Sequence, residues 1–319
     1  MIESLLAVPF YFLHIPLNVA LPVSTLIFTT LPFLYLGIKS LENNRMVAAY
    51  IILFVYAAMS YDWDVLTSIP RAFVGGFIFG VIGGVLINEE GKWYKYLIAS
   101  YCIYLGCIIT NTVVAIAGMS YLAMVLYNKI DKDFIKKRFP GLIAGNVLGF
   151  ITGYFIKMFY VNNPDYNLHP AYNAAVSLKV LRENIADFNE IAGWFTPVTI
   201  GAVWIIVMLV IVWICIYRGA FKSLIMTAFA FFGFIAILSL DKMEDYMPGT
   251  LLYGQLRMLL FVPYMIALVV FLCSCYDESV WNRKKTYVGC IVMVLCFLVV
   301  MVIKSNIICL LYTSPSPRD

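Results

Sequence analysis

Long apolar runs separated by short polar turns dominate the pattern of this chain. In the second half the runs cover 140–160, 197–217, 222–239, 251–274 and 286–304. A helix that crosses a bilayer needs about 20 apolar residues, with about 17 to 25 tolerated. Each run is therefore long enough for one crossing, and the pattern predicts helical membrane spans.

The first half contains a run that is too long for one span. Residues 93–127 would measure roughly 52 Å as a single helix, at about 1.5 Å per residue. The polar triplet Thr110-Asn111-Thr112 lies near the midpoint of this run. A turn there would divide the run into two crossings, which we predict. Further spans are predicted at 46–61 and 69–87.

Residues 4–38 form a second overlong run, which four prolines interrupt. They are Pro9, Pro16, Pro22 and Pro32. Proline removes a helix hydrogen bond and frees a carbonyl that needs another partner in lipid. We predict one broken span at 17–38, preceded by an interfacial or re-entrant piece, and leave the orientation of the N-terminus open. The total is then roughly nine to eleven spans.

Basic residues collect in alternate turns between the apolar runs. The segment 128–139 carries Lys129, Lys132, Lys136, Lys137 and Arg138. Basic turns also lie at 218–222 and 283–285, whereas the loops 161–196 and 240–250 are acidic or mixed. Because cytoplasmic loops carry an excess of Lys and Arg, the basic turns are predicted to face the cytoplasm. Two crossings over 93–127 add four residues to that side, Lys39, Arg45, Lys92 and Lys95.

The composition predicts the same class of protein. The 319 residues are 63% hydrophobic and 13% charged, with a mean hydropathy of +0.89, whereas soluble domains are about half apolar and about a quarter charged. The net charge of +4 comes without a basic stripe with interleaved aromatics, which argues against nucleic-acid binding. We predict an all-α, polytopic transmembrane helical bundle in a bacterial inner membrane, with membrane lipids as partners.

The domain organisation follows from where this pattern stops. Residues 1–311 are predicted to form a single transmembrane helical domain. The final residues 312–319, Tyr-Thr-Ser-Pro-Ser-Pro-Arg-Asp, are polar and contain prolines, unlike the rest of the chain. We predict that they are a non-native tail and that the natural protein continues beyond residue 311.

Two apolar runs carry a glycine at every fourth position. One has Gly76, Gly80 and Gly84, and the other has Gly141, Gly145, Gly149 and Gly153. Such a stripe lets the backbone of another helix approach closely. We expect tight packing within the bundle, with a homo-oligomer formed through one of these helices as the alternative.

The longest outer loop, 161–196, has apolar residues at helical spacing. They are Ala175, Leu178, Leu181, Ile185 and Phe188, with charged residues between them. This pattern predicts an amphipathic helix that lies on the outer surface. A lid packed on the rim of the bundle is its simpler role.

The main candidate for chemistry is the segment Tyr61-Asp62-Trp63-Asp64, with Arg71 after it. No soluble-enzyme motif is present in the sequence. In an extended segment, Asp62 and Asp64 would point the same way, and carboxylates at a membrane boundary either face water or serve a polar site. They could supply a general base or bind a metal ion. The alternative is a solvated turn whose aromatic rings lie in the interfacial belt.

A second candidate group lies on the predicted outer face. Arg257 follows the acidic loop 240–250 and lies a few residues inside the next span. It could extend to the interface or bind a lipid-linked phosphate through two hydrogen bonds. His169 and Arg182, in the loop 161–196, would add further groups to the same face. The two histidines are far apart in sequence and the eight cysteines lack zinc-site spacing, so no metal ligands are assigned.

The stretch 109–156 carries a resemblance to known proteins. It reads ITNTVVAIAGMSYLAMVLYNKID, then a basic turn, then FPGLIAGNVLGFITGYFI. It resembles bacterial multi-pass proteins that are grouped with type-C membrane glycosyltransferases, which use lipid-linked sugars, and it covers about a sixth of the chain. The resemblance implies an acidic base in an early outer loop, and Asp62 and Asp64 are the only positions that could match it. In the family this loop normally follows the first span, whereas here it follows the second predicted span. Thr110 and Asn111 stand where an acidic residue is expected, so no catalytic carboxylate is assigned there.

The leading hypothesis is therefore a glycosyltransferase that acts on a polyprenyl-phosphate-linked sugar at the outer face. Asp62 or Asp64 would be the base, and Arg257 or Arg182 would lie near phosphate, where positive charge or a divalent metal ion stabilises the leaving group. A transporter or flippase is the first alternative, for which related broken helices in both halves are expected. An O-antigen-polymerase-like protein, which would use the basic groups of 161–196, is the second.

Overall fold

The structure, a computed structural model, is described for part of the chain. The described residues are 8–57, 72–110, 112–128, 130–162, 174–182, 208–209, 211–213, 215–217, 219–242 and 261–276. Within them the architecture is all-α, apart from one short pair of strands. The longer elements are α1 (Leu17–Glu42), α2 (Met46–Ala57), α3 (Ala72–Asn88), α4 (Trp93–Ile109), α5 (Val113–Tyr127), α6 (Lys132–Asn162), β1 (Ala174–Val176), α7 (Phe221–Leu238), β2 (Leu240–Lys242) and α8 (Phe261–Tyr276).

The overlong run 93–127 forms two helices, as predicted. Helix α4 ends at Ile109 and α5 begins at Val113. Thr110 is extended, with φ −149° and ψ 129°, and its hydroxyl oxygen lies 3.1 Å from that of Thr112. Around this turn the backbone N–H of Thr110 still donates to the carbonyl of Gly106, and that of Val113 donates to the carbonyl of Thr110.

The N-terminal run differs from the prediction of a broken span. Helix α1 is continuous over Leu17–Glu42 and passes through Pro22 and Pro32. Each proline removes only one backbone bond, and the remaining bonds of a 26-residue helix hold the axis. The turn lies earlier, at His14, whose φ of +57° separates the helical residues 8–12 from α1.

Helix α6 starts inside the basic segment that the sequence placed in a loop. It runs from Lys132 to Asn162 and includes Pro140. The Asp131 carboxylate accepts a hydrogen bond of 2.7 Å from the backbone N–H of Phe134, which satisfies one of the unpaired donors of the first turn. This side-chain cap explains why the helix begins well before the apolar run.

Both glycine stripes serve close packing within the chain, as expected. A Cβ at Gly76 would lie 2.7 Å from Thr110 Cγ2, and one at Gly80 would lie 2.8 Å from Val113 Cγ1, so α3 fits tightly against the α4–α5 turn. The second stripe packs on α4: a Cβ at Gly145 would overlap the Leu97 carbonyl oxygen, and one at Gly149 would lie 2.5 Å from the Tyr104 ring. The first stripe therefore packs on the end of α4 and on α5, and the second packs on α4.

The core is built around α8. Residues 262–274 of this helix are buried, and the ring of Tyr264 stacks on Phe77 at 4.7 Å and lies 4.8 Å from Phe33. Helices α1, α2, α3 and α5 all contribute buried residues to the same cluster. In contrast to this buried core, the side of α6 that faces away from the bundle is exposed: Phe150 and Phe155 expose 64% and 66% of their surface.

A short ribbon replaces the first part of the predicted amphipathic helix. Strand β1 pairs antiparallel with β2, with Ala174 opposite Lys242 and Val176 opposite Leu240. Helix begins only after this strand, and the residue it buries is Val180, whereas Leu178 is 80% exposed. The predicted helix is therefore wrong at Ala175, which is in a strand, and the predicted apolar face is wrong at Leu178. Leu181 packs against the core as predicted, and Ile185 and Phe188 lie outside the described residues.

One helix of the described part is long and apolar enough to cross a membrane. It is the segment Lys132–Phe159 of α6. Several shorter apolar helices lie beside it, namely Met46–Tyr56, Gly75–Asn88, Trp93–Ile109, Val113–Tyr127, Phe221–Ala236 and Val262–Tyr276.

Candidate functional site at the basic end of the bundle

Most of the side chains that the sequence singles out for chemistry lie outside the described residues. These are Asp62, Asp64, Arg71, His169 and Arg257. Arg182 is described and lies exposed at the end of the helical residues 178–182. It forms no ion pair with another described residue, and the predicted constellation stays a prediction.

The polar groups that the structure does bring together lie at the basic end of the bundle. The Glu89 carboxylate, just after α3, binds the ammonium groups of Lys39 from α1 and Lys95 from α4. The Lys95 Nζ to Glu89 Oε2 distance is 2.6 Å, and Lys95 also donates to the carbonyl of Glu90 at 3.1 Å. One carboxylate therefore holds the ends of three helices.

The ionisation of Glu89 follows from these partners. Partial burial opposes the charged form, but hydrogen bonds and Coulomb attraction from Lys39 and Lys95 outweigh it and lower the pKa of the carboxyl from 4.5. The carboxylate is therefore charged at neutral pH, and two cations share its charge.

A chain of hydrogen bonds continues from Asn88 across the bundle end. The Asn88 amide donates to the Ser120 carbonyl at 3.0 Å, and the Tyr276 hydroxyl donates to the Asn88 carbonyl at 3.1 Å. The Asn128 amide donates to the Tyr276 hydroxyl at 3.4 Å. Arg138 completes the chain by donating from Nη2 to Asn128 Oδ1 at 3.1 Å. This chain joins α3, α5, α6 and α8.

Arg138 is the most deeply buried cation of the described part, with 6% of its surface exposed. Its Nη1 donates to the carbonyl of Ile87 at 3.2 Å. The guanidinium also lies between two aromatic rings, 5.0 Å from the centre of Tyr96 and 4.8 Å from the centre of Phe134. The carbonyl, the amide and the two ring faces take the place of water around the guanidinium, and they offset the free-energy cost of burying its charge.

A second arginine contact links α8 to the turn before α2. Arg45 Nη1 lies against the Cys275 sulfur. The Nε of Arg45 is buried without a hydrogen-bond partner among the described residues.

Stacked rings of Tyr127 and Tyr276, 4.2 Å apart and parallel within 3°, lie at the same end.

Asn128 and Arg138 of this hydrogen-bond chain border a polar cleft of about 340 Å³. It is lined by Glu90, Gly91, Tyr96, Asn128, Asp131, Asp133, Phe134, Lys137 and Arg138. Carboxylates at the rim and cations nearby give the cleft a mixed charge. Among the described residues, no group of three His, Cys, Asp or Glu side chains could hold a metal ion. The arrangement joins the ends of several helices through hydrogen bonds and ion pairs.

Substitution of Glu89 tests how much this end stabilises the fold. We expect Glu89→Gln to lower the free energy of unfolding by about 1–2 kcal/mol, between the values of exposed and buried ion pairs. Because the folded-state pKa of Glu89 is lowered, its contribution is complete above pH 4.5 and is lost as the pH falls through the folded-state pKa. Denaturation of both proteins in detergent across this range measures it, with Glu90→Gln as the control. A difference that does not change with pH would contradict the ion-pair account.

The sequence did not predict which residues carry the hydrogen-bond chain, namely Asn88, Asn128 and Tyr276. Each lies at the end of an apolar helix, where a polar residue is unremarkable by itself. The available signal is the alternation of basic turns, which predicts that Lys39, Lys95 and Arg138 gather at one end of the bundle. No local pattern indicates which side chains bind them there.

Comparison of the chain with models of protein families, with curated proteins and with solved structures found no match.

Proposed function

We propose that this chain is a multi-pass protein of the cytoplasmic membrane, with its basic helix ends on the cytoplasmic side. One observation carries the proposal: basic residues from separate turns meet at one end of the described bundle. Lys39, Lys95 and Arg138 belong to three different helices and share one polar network. In a membrane bundle whose loops alternate between the two sides, the positive-inside rule predicts that basic residues gather at the cytoplasmic end.

The sides of the helices support the same proposal. Outward-facing residues of α6 are large and apolar over most of its length, with Ile143 and Phe155 exposing 53% and 66% of their surface. Exposed apolar surface of this extent is covered by a partner or by lipid. Lipid fits here because the apolar surface begins after the basic first turns of the helix.

We further propose that the protein transfers a sugar from a polyprenyl-phosphate donor at the opposite, outer face. Helix α2 begins beside the basic end and runs away from it, and α3 returns to it at Asn88. The connection between them contains Asp62 and Asp64, so this topology supports an acidic pair on the outer side. One of these carboxylates would take the proton of the acceptor hydroxyl, which attacks the sugar carbon as the polyprenyl phosphate leaves.

The leaving phosphate needs positive charge. Arg71, Arg182, Arg257 and His169 remain the candidates for this role, with a divalent metal ion as an alternative source of charge. Arg182 is exposed and follows the β1–β2 ribbon. The ribbon joins the two loops predicted to face outwards, and this contact supports a common outer face.

The proposal is tested by transfer of a labelled sugar from a polyprenyl-phosphate donor in vesicles that contain the purified chain. We expect transfer that depends on both the protein and the donor. Vesicles with a heat-denatured sample are the control. Transport of the intact donor across the vesicle membrane, without formation of a new glycosidic bond, would instead support a flippase and contradict the enzyme proposal.

A further inference from the structure

The exposed side of α6 is basic in its first two turns and apolar after them. Lys132 and Lys136 occupy its first two turns, and Phe139, Ile143 and Val147 continue the same side with a spacing of three or four residues. All five are exposed, the last three at 52%, 53% and 52%. Two ammonium groups therefore stand directly above a strip of apolar surface.

The opposite side of this helix is occupied by α4. Gly141 lies against the carbonyl of Trp93, and Gly145 against that of Leu97. The stripe of glycines thus fixes which side of α6 faces away from the bundle. Because the basic and apolar side is not used for packing on α4, it is available to a ligand from the membrane.

Aromatic residues mark the depth of this surface in the proposed membrane. Trp93 and Tyr94, at the start of α4, expose 54% and 51% of their surface. Such rings favour the level of the lipid headgroups. Since the Trp93 carbonyl meets Gly141, Lys136 lies about one helical turn towards the cytoplasm, at headgroup height. Phe139 lies close to the level of Trp93, and Ile143 and Val147 lie deeper, at the height of the acyl chains.

Charges around the first turns of α6 are sorted between two sides. Asp131 and Asp133 line the polar cleft, whereas Lys132 and Lys136 do not. Neither lysine forms an ion pair with another residue in the described part of the chain. The cleft side also carries Lys137 and Arg138, so its charge is mixed, whereas the exposed side described above carries two lysines and no carboxylate. An anionic group on that side is attracted by the lysines without repulsion from a carboxylate beside them.

We infer that this side of α6 binds an anionic phospholipid, with its phosphate between Lys132 and Lys136 and its acyl chains along Phe139, Ile143 and Val147. The inference rests on the membrane proposal above and adds the class of lipid and its site. Ammonium groups form charge-assisted hydrogen bonds with phosphate oxygens. Basic residues just cytoplasmic of a membrane span attract anionic lipids in this way.

The test compares lipid binding by the full chain and two variants. Native mass spectrometry in detergent measures binding of phosphatidylglycerol and of phosphatidylcholine. We expect the wild-type chain to prefer phosphatidylglycerol, and Lys132→Gln/Lys136→Gln to bind it about ten-fold more weakly with phosphatidylcholine binding unchanged. Lys157→Gln is the matched control, because Lys157 is exposed on the same helix near its other end. An equal loss in both variants, or none in the double variant, would overturn the site.

Two further measurements keep the inference separate from the membrane proposal. Preference of the wild-type chain for phosphatidylglycerol should fall as salt is raised to about 0.5 M, because screening weakens exposed ion pairs. Competition by glycerol phosphate as strong as that by phosphatidylglycerol would show a headgroup site without the acyl strip and overturn the inference. If the chain fails to insert into vesicles of either lipid, the membrane proposal fails; insertion without a preference overturns only the lipid site.

Discussion

Replacing Asp62 and Asp64 together by Asn is expected to abolish sugar transfer without lowering the amount of protein in the membrane. Asparagine keeps the size of each side chain but cannot accept the proton of the acceptor hydroxyl. A general base contributes about 10²–10⁴-fold to such a reaction, so the loss would reach the detection limit of most transfer assays. Initial rates in reconstituted vesicles, normalised to protein content, measure the effect.

Single variants, and a control variant at the basic end of the bundle, show whether one carboxylate accounts for the loss of transfer. If one carboxylate is the base, Asp62→Asn and Asp64→Asn will differ strongly, because only one of them removes the proton acceptor. Asp133→Asn is the matched control, since Asp133 is exposed at the basic end. Full activity of the double variant would remove these residues from the reaction.

The second large effect is expected from the glycine stripe of α6. Gly145→Ala should lower the free energy of unfolding by about 2–3 kcal/mol, the cost of overpacking a close contact. The added methyl group would overlap the Leu97 carbonyl oxygen and the Ser100 hydroxyl, and would lie 3.0 Å from the backbone nitrogen of Tyr101. Backbone atoms of a packed helix cannot move aside without separating α4 from α6. The midpoint of denaturation in mixed micelles measures the loss.

Gly153 provides the control within the same stripe. A methyl group there would lie 3.3 Å from the end of the Ile108 side chain, which can move, and 3.9 Å from the Tyr104 ring, an ordinary van der Waals contact. Gly153→Ala should therefore be neutral or stabilise by up to about 1 kcal/mol, because alanine is the better helix former. Equal effects at the two positions would contradict the packing of α4 on this stripe.

Features that follow from local pattern were predictable. The division of 93–127 at Thr110 and Thr112 follows from a polar triplet in an apolar run, and the structure has two helices there. The close-packing role of the glycine stripes was also predictable, because a side without side chains attracts another backbone. The sequence did not say that α4 is the partner of the α6 stripe, since the partner depends on three-dimensional arrangement.

Features that depend on side-chain capping or distant pairing were not predictable. The basic segment 128–139 appeared to be a loop because its charge hides the helix, which Asp131 caps. The segment around Ala175 has helical periodicity, yet it forms a strand because Leu240–Lys242 supplies a partner from far along the chain. A pattern of apolar residues cannot show that such a partner exists.

Part of the candidate site was predictable from the sequence, and part was not. The gathering of Lys39, Lys95 and Arg138 follows from the predicted topology, because each lies in a turn assigned to the cytoplasmic side. The chain through Asn88 and Tyr276 does not, because these residues are far apart in sequence and meet only where α3 and α8 end together. Neither residue has a distinctive local pattern.

Reporter fusions test the membrane topology most directly. Green fluorescent protein folds on the cytoplasmic side, whereas alkaline phosphatase is active only outside. Fusions after Gly91 and Ile130, in turns at the basic end, should be fluorescent and lack phosphatase activity. Fusions after Thr112 and Asn162, at the opposite end, should show the reverse. The same signal at all four positions, or the inverted pattern, would contradict a multi-pass bundle with its basic end in the cytoplasm.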